Sequence, residues 1–288
     1  MNPRPIDHLV LAVRDLDAAR ETYRRMGFTL TPPARHPFGT ENSLALMDGS
    51  YLELLAVADP AAIREATATR FPFGAFNRDY LNEREGLSLV ALQSDDAAAD
   101  RADFDKRDLP VYEPVHFSRM ATGPDGVDRE VAFSVTFTSD ARTHGQAGFF
   151  TCQQHKPENQ FRPEYQRHAN GALRVDSAVF VTRDPADFHE FLTHFTGQHD
   201  MLSTSLHVKF DLGRGSLDVL SPVAFRAFFG EDAGPDPRRF TAYRVAVADL
   251  AATRTLLAAN GVPFRELSGA LIVPSEFAHG AAVGFVQS

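Results

Sequence analysis

The sequence of 288 residues contains no tryptophan and a single cysteine, Cys152. One thiol excludes an internal disulfide, and nothing contradicts a reducing cytosol. Positive charge is also short, with 29 Lys and Arg against 38 Asp and Glu and a formal net charge of −9. The basic residues form no cluster, which argues against a nucleic-acid surface, because phosphate binding is driven by clustered Lys and Arg. No apolar run approaches the length of a membrane span, and the opening MNPRPIDH lacks the apolar core of a signal peptide. These absences predict a soluble, cytoplasmic protein with a small-molecule partner, and with neither nucleic acid nor membrane as a partner.

What is present is a repeat. The opening IDHLVLAVRDLDAARETY reads as a strand from Ile6 to Val13 and a turn at Arg14 and Asp15. Asp15 then acts as N-cap of a helix that sets Leu16, Ala19, Tyr23 and Met26 on one face, and Gly27 stops it. The pattern returns at Leu87, at Val175, where the Arg-Asp pair recurs with Pro185 just inside the helix start, and at Phe240, punctuated by Asp249 and Gly261. Each helix is followed by two or three strand-like runs. Four units of strand, helix and three strands fill the chain, which predicts an α+β fold of βαβββ modules. Two such units side by side form a curved mixed sheet, with helices on the convex face and an open concave face for a ligand. Length and 43% hydrophobic composition fit about two domains of roughly 140 residues each.

After the first helix, strands are expected around Thr29, from Ser43 to Met47 and from Tyr51 to Val57, with Asp48-Gly49 as a tight hairpin turn. Alternation puts Tyr51, Glu53 and Leu55 on one face and Leu52 and Leu54 on the other. If the leucines pack on the helix, Glu53 points into the concavity, and the same parity in the first strand sends His8 there.

The segments IDHLVLAVRDLDAARETYRRMGF and FGTENSLALMDGSYLELLAV resemble the vicinal oxygen chelate superfamily, in its glyoxalase-like group that includes glyoxalase, extradiol dioxygenase and bleomycin-resistance-type proteins. The likeness covers the whole chain as four modules. It implies two glyoxalase-like domains, residues 1–160 and 175–288, joined by a linker at 161–174, with metal ligands on the first and fourth strands of a module. Those positions hold His8 and Glu53, a pair that suits Fe, Mn, Zn or Ni as a divalent cofactor. A third ligand is expected from the second module, whose first-strand equivalent is read as Ser88. Its fourth strand, GFFTCQQH, offers Phe150, Thr151 or Cys152, none of them a ligand of the expected type. His155, or else His116, is then the candidate to complete the set, and His155 is preferred.

Gln153 is expected to share a face with His155 and to orient a ligand or bind substrate. Phe38, Arg119, Phe133 and Phe137 are expected around the cavity, Phe38 and Arg119 as substrate contacts. In the linker, Arg162 to His168 brace one domain on the other, or close as a lid that brings Arg162 or His168 to an anionic substrate. The second half is expected to be degenerate, since its metal positions hold Ser177 and Asp218, then Ala242 and Gly284.

HEFLTH, from His189 to His194, is not a zinc-protease motif: histidines five apart on a helix are separated by roughly 140°, whereas four apart gives about 40°. GRGS at Gly213 to Ser216 reads as a hairpin turn, and Cys152 as a buried thiol. The resemblance implies a metal-dependent lyase, isomerase or dioxygenase in which Glu53 is the catalytic residue, as a ligand or a general base. The alternative is a metal-free binding protein of the bleomycin-resistance type, for which 24 phenylalanines would furnish an apolar pocket. Either a monomer or a homodimer is compatible with two paired modules in each half.

Overall fold

The computed structural model describes residues 3–123 and 125–288; Met1 and Asn2, at the start of the MNPRPIDH stretch read above, and Pro124 lie outside the described residues. In chain order the first half contains β1 (Ile6–Ala12), α1 (Leu16–Arg25), β2 (Ala34–Arg35), β3 (Thr40–Met47), β4 (Ser50–Val57), α2 (Phe73–Glu83) and β5 (Gly86–Gln93). It continues with α3 (Ala97–Lys106), β6 (Val115–Thr122), β7 (Asp128–Thr138), β8 (Gly148–Gln154) and the short α4 (Pro157–Gln160). The second half contains β9 (Ala172–Val181), α5 (His189–Thr196), β10 (Met201–Ser203), β11 (His207–Asp211), β12 (Ser216–Leu220) and α6 (Pro222–Phe229). After these come β13 (Arg239–Val247), α7 (Leu250–Ala259), β14 (Arg265–Leu267), β15 (Ala270–Val273) and β16 (Ala282–Gln287). Among the described residues no helix is long and apolar enough to cross a membrane.

Two eight-stranded sheets result, ordered β2-β3-β4-β1-β5-β8-β7-β6 and β10-β11-β12-β9-β13-β16-β15-β14. In each, two βαβββ units meet through their antiparallel first strands, β1 on β5 and β9 on β13. The repeat is written in the caps. Asp15, Asp96, Asp184 and Asp249 each accept a backbone N–H of the turn that follows, a contact worth about 1 kcal/mol. In the third unit that turn is a 3-10 segment, Pro185–Phe188, which feeds α5.

The strand expected around Thr29 does not form. Thr29 gives its N–H to His168 Nδ1 and its hydroxyl to Arg167 O, and Pro32 and Pro33 have no N–H to offer a ladder. The second strand of the first unit shrinks to Ala34–Arg35.

The helix-covered faces of the two sheets are turned toward each other and share one core. Leu9, Leu54 and Phe149 from the first sheet and Phe180, Phe240 and Phe285 from the second belong to the same buried cluster. At its centre the hydroxyls of Tyr23 and Tyr243 lie 2.6 Å apart. The fit is close at Gly280 (φ +87°), where a Cβ would stand 2.1 Å from the carbonyl oxygen of Glu85. The concave faces therefore point outward, and each receives a helix that links two units. On the second sheet α6 fills the concavity with Phe225 and Phe229 against Val179, Val181, Ala242 and Ile272. On the first, Phe71, Phe73 and Phe76 in and before α2 cover only one end of the concavity and leave a cavity beside them.

Candidate active site

The cavity lies in the concave face of the first sheet, has a volume of about 130 Å³, and is partly open to solvent. A void of about 150 Å³ accepts benzene, so the enclosed part accommodates one ring or a short chain. Phe38, Phe71, Phe73, Phe117, Phe133, Phe137 and Phe150 supply most of its wall, and His8, His36, Asn42, Tyr51, Glu53 and Arg119 form its polar end.

A bulge in β1 builds the first part of that end. The register against β5 runs from Ile6 opposite Leu92 to His8 opposite Ala91, skipping Asp7, so Asp7 and His8 contact each other on the inner face. Asp7 Oδ1 accepts from His8 Nδ1 at 2.5 Å, and Asp7 Oδ2 accepts from Gln154 Nε2 at 2.9 Å. A carboxylate can only accept, so Nδ1 carries the imidazole proton and Nε2 presents a lone pair to the cavity. Tyr51 stacks on the imidazole, with centroids 4.4 Å apart, and fixes its plane.

Glu53 stands opposite Val10 in the parallel β1–β4 pair and is 5% exposed. Its Oε1 accepts from Asn42 Nδ2 at 2.6 Å, while Oε2 faces His8 Nε2 across 3.7 Å, beyond hydrogen-bond distance. Asn42 also offers Nδ2 to His36 Nε2 at 3.3 Å, and His36 Nδ1 lies 2.9 Å from Thr40 Oγ1. Burial first, then the electrostatic influence of Arg119 and of His8 against a further charge, pushes the His36 pKa down to about 3, so it is a neutral imidazole. Arg119, on β6 across the concavity, makes no hydrogen bond among the described residues, and its Nε is fully buried. Burial lowers its pKa; Glu53 and Tyr51 oppose that shift.

The donor set can be tested against a divalent ion. Two donors about 2.1 Å from one metal stand roughly 3.0 to 3.4 Å apart at octahedral or tetrahedral angles. The 3.7 Å between His8 Nε2 and Glu53 Oε2 is a few tenths wider, and both residues have the supporting hydrogen bonds, from Asp7 and Asn42, that orient metal ligands. These two residues fit as two protein ligands of a divalent ion. Asp7, His8 and Cys152 also bring donor atoms within 4.8 Å of one another. There His8 Nδ1 is already committed to Asp7, and burial raises the Cys152 pKa well above its usual value, so the thiol stays protonated.

Register also identifies the corresponding positions of the other units. Glu53 opposes Val10, Phe150 opposes Ala91, Asp218 opposes Val179 and Gly284 opposes Arg244. Phe150 is thus the counterpart of Glu53 in the second unit. The counterpart of His8 is Leu89 and not Ser88, because β5 bulges at Ser88, whose hydroxyl turns to Asn77 Oδ1 at 2.8 Å. Both second-unit positions are apolar.

His155 and Gln153 do not reach the cavity. Along β8, Phe150, Cys152 and Gln154 face inward, so Gln153 and His155 face the other side. His155 Nε2 is 2.6 Å from Ser134 Oγ, which His116 Nδ1 also meets at 2.6 Å, and Gln153 binds Ala97 N and Asp95 O at the start of α3. Phe38, Arg119, Phe133 and Phe137 do line the cavity. His168 is a brace: it accepts from Thr29 N and donates to Leu46 O. In the second sheet Asp218 is held by His207 at 2.8 Å and Arg244 at 3.3 Å, and Arg244 lies over the Phe229 ring of α6.

A family model described as a glyoxalase-like domain matches residues 6–196. The chain belongs to the glyoxalase-like domain family. Solved structures share the architecture along nearly the whole chain. A hypothetical protein from Staphylococcus aureus is 13% identical over 99% of both chains, with a TM-score of 0.69. A mutant of 4-hydroxymandelate synthase from Streptomyces coelicolor is 11% identical over 100% of this chain and 93% of that one, with a TM-score of 0.59. The 2,2',3-trihydroxybiphenyl 1,2-dioxygenase of Sphingomonas wittichii is 12% identical over 99% and 91%, with a TM-score of 0.54. Comparison with the curated proteins gives no match. At these identities the neighbours of this glyoxalase-like protein speak for its fold.

Proposed function

We propose that this glyoxalase-like protein is an enzyme acting on a small oxygenated organic substrate in the concavity of its first sheet, with a divalent ion held by His8 and Glu53. The observation that carries the reading is the pair of lone pairs, on His8 Nε2 and Glu53 Oε2, facing each other across 3.7 Å at the end of an aromatic cavity. When bound, the ion supplies Lewis-acid stabilisation of neighbouring substrate oxygens.

The chain's own residues do the rest. Asp7 holds His8 in the Nδ1–H tautomer, and Asn42 anchors one oxygen of Glu53 so that the other is aimed at the substrate. That free oxygen is placed to take or return a proton at a carbon or hydroxyl of the bound molecule. The phenylalanine wall excludes water and orients an apolar body. Lyase, isomerase and dioxygenase reactions remain within this arrangement. The same reading makes residues 1–160 the chemical half, residues 175–288 a structural one, and the whole a cytoplasmic monomer or homodimer.

A second reading, a metal-free binding protein of the bleomycin-resistance type, is favoured by Leu89 and Phe150 at the second-unit ligand positions. Elemental analysis of protein purified without chelator or affinity tag separates the two. Near-stoichiometric Fe, Mn, Zn or Ni that disappears in both His8→Ala and Glu53→Ala supports the enzyme; a metal-free wild type, even after reconstitution, moves the reading to the binder.

A further inference from the structure

A second cavity, of about 140 Å³, adjoins the first and shares Leu44, Arg119 and Gln160 with it. Its walls come from the segment before β3, from β6 and β7, and from the linker after α4. Four arginines line it, Arg35, Arg119, Arg129 and Arg162, and none of the described lining residues is acidic.

The four guanidinium groups are not equally engaged. Arg129 is held by both oxygens of Asp125, at 2.6 and 2.9 Å, and Arg35 stands 3.8 Å from Glu41. Arg162 comes no closer than 3.8 Å to Asp125 and to Glu164, and its Nε is buried without a hydrogen-bond partner among the described residues. Among the described residues Arg119 has neither a hydrogen bond nor a carboxylate within 4.0 Å, and its Nε is likewise buried. Two arginines that line one chamber thus each carry a buried Nε–H with no acceptor among the described residues, whereas buried donors are ordinarily paired. A planar guanidinium is matched by the oxygens of a carboxylate or phosphate.

We infer that this chamber is a subsite for the anionic group, a carboxylate or phosphate, of a substrate whose compact apolar body occupies the phenylalanine-lined cavity. Arg119 stands at the junction and reads the connection between the two parts; Arg162 closes the anion's far side. The inference rests on the proposed reading that the first cavity holds the substrate, and it adds the substrate's class: an amphiphilic anion, with its apolar body against the phenylalanine wall beside His8 and Glu53.

The test uses the whole chain in the presence of EDTA, so that its outcome does not depend on an ion. Calorimetry compares 3-phenylpropanoate, 3-phenylpropyl phosphate and the neutral 3-phenyl-1-propanol on wild type, Arg119→Gln and Arg162→Gln. At least one anion should bind about tenfold or more tightly than the alcohol. Both variants should remove that advantage, and Arg162→Gln, which lines only the second chamber, should leave alcohol binding unchanged; circular dichroism like that of wild type shows that both fold, and preference for carboxylate or for phosphate identifies the anion. Equal affinity of alcohol and anions in wild type, or an anion preference that survives in Arg162→Gln, overturns the subsite while leaving the first cavity as a ligand site. Failure of all three probes to bind overturns the subsite together with the use of the first cavity for such a molecule.

Discussion

The hydroxyl pair of Tyr23 and Tyr243 measures how firmly the two sheets are joined. The first residue is on α1 and the second on β13, their side chains are 0% and 1% exposed, and their oxygens are 2.6 Å apart. Burial raises both phenol pKa values, so both remain protonated and one donates to the other. Replacing either tyrosine by phenylalanine leaves the other hydroxyl buried without its partner, at a cost of about 1–3 kcal/mol. Replacing both removes the polar pair, and apolar groups of the same shape are then nearly neutral. Urea unfolding of wild type, Y23F, Y243F and Y23F/Y243F, followed by circular dichroism, should therefore give a double variant more stable than either single one. The coupling should be of the order of 1–3 kcal/mol, where independent sites add to within about 0.5 kcal/mol. Strict additivity would refute a shared core at this point, as would two separate transitions for the two halves.

Other expectations follow from single residues. His36 has a folded pKa of about 3 against an ordinary 6.5, so the unfolded chain takes up its proton first as pH falls. Its contribution to stability is intact above about 6.5 and is lost toward about 3, at up to about 1.4 kcal/mol per pH unit. Urea titrations in EDTA between pH 7 and 5 should show wild type losing about 2 kcal/mol more than His36→Gln; parallel losses would contradict the burial argument. Gly280→Ala must push against the carbonyl of Glu85, so its Tm should fall well below that of Gly145→Ala, which also has positive φ but meets nothing within 4 Å. An equal Tm would mean that the two halves are not in close contact there. Leu89→His places an imidazole at the counterpart of His8, and Mn(II) affinity by calorimetry should rise about tenfold or more, about 1.4 kcal/mol; an unchanged affinity would mean that the position does not face the ion.

Much of the fold was legible because each unit carries its own punctuation. The four capping aspartates recur in register, and Asp48-Gly49 fixes the parity of β4, so the sequence alone turns Glu53 and His8 to one side. The second unit offered no such anchor. GFFTC is apolar on both faces, because one side packs in the shared core and the other in the cavity, and a slip of one residue reverses every side chain. On that ambiguous strand periodicity alone does not keep Gln153 and His155 off the inner face. The bulge at Ser88 shifts the first-strand position to Leu89 and has no mark in the sequence. Asn42 could have been found, since it alternates with Leu44 onto the face of Glu53. His36 lies outside any regular element, and periodicity says nothing of it. The helices α2 and α6, which decide that one concavity stays open and the other is filled, belong to no βαβββ repeat and were invisible to an argument built on repetition.

The central claim is that the chemistry sits between His8 and Glu53 in the first sheet. Anomalous diffraction from crystals soaked in Mn(II) tests it most directly. A single strong peak within bonding distance of His8 Nε2 and Glu53 Oε2 is the predicted result. A peak at His207 and Asp218 instead, or at Asp7 and Cys152, or none near Glu53 at saturating Mn(II), would contradict it.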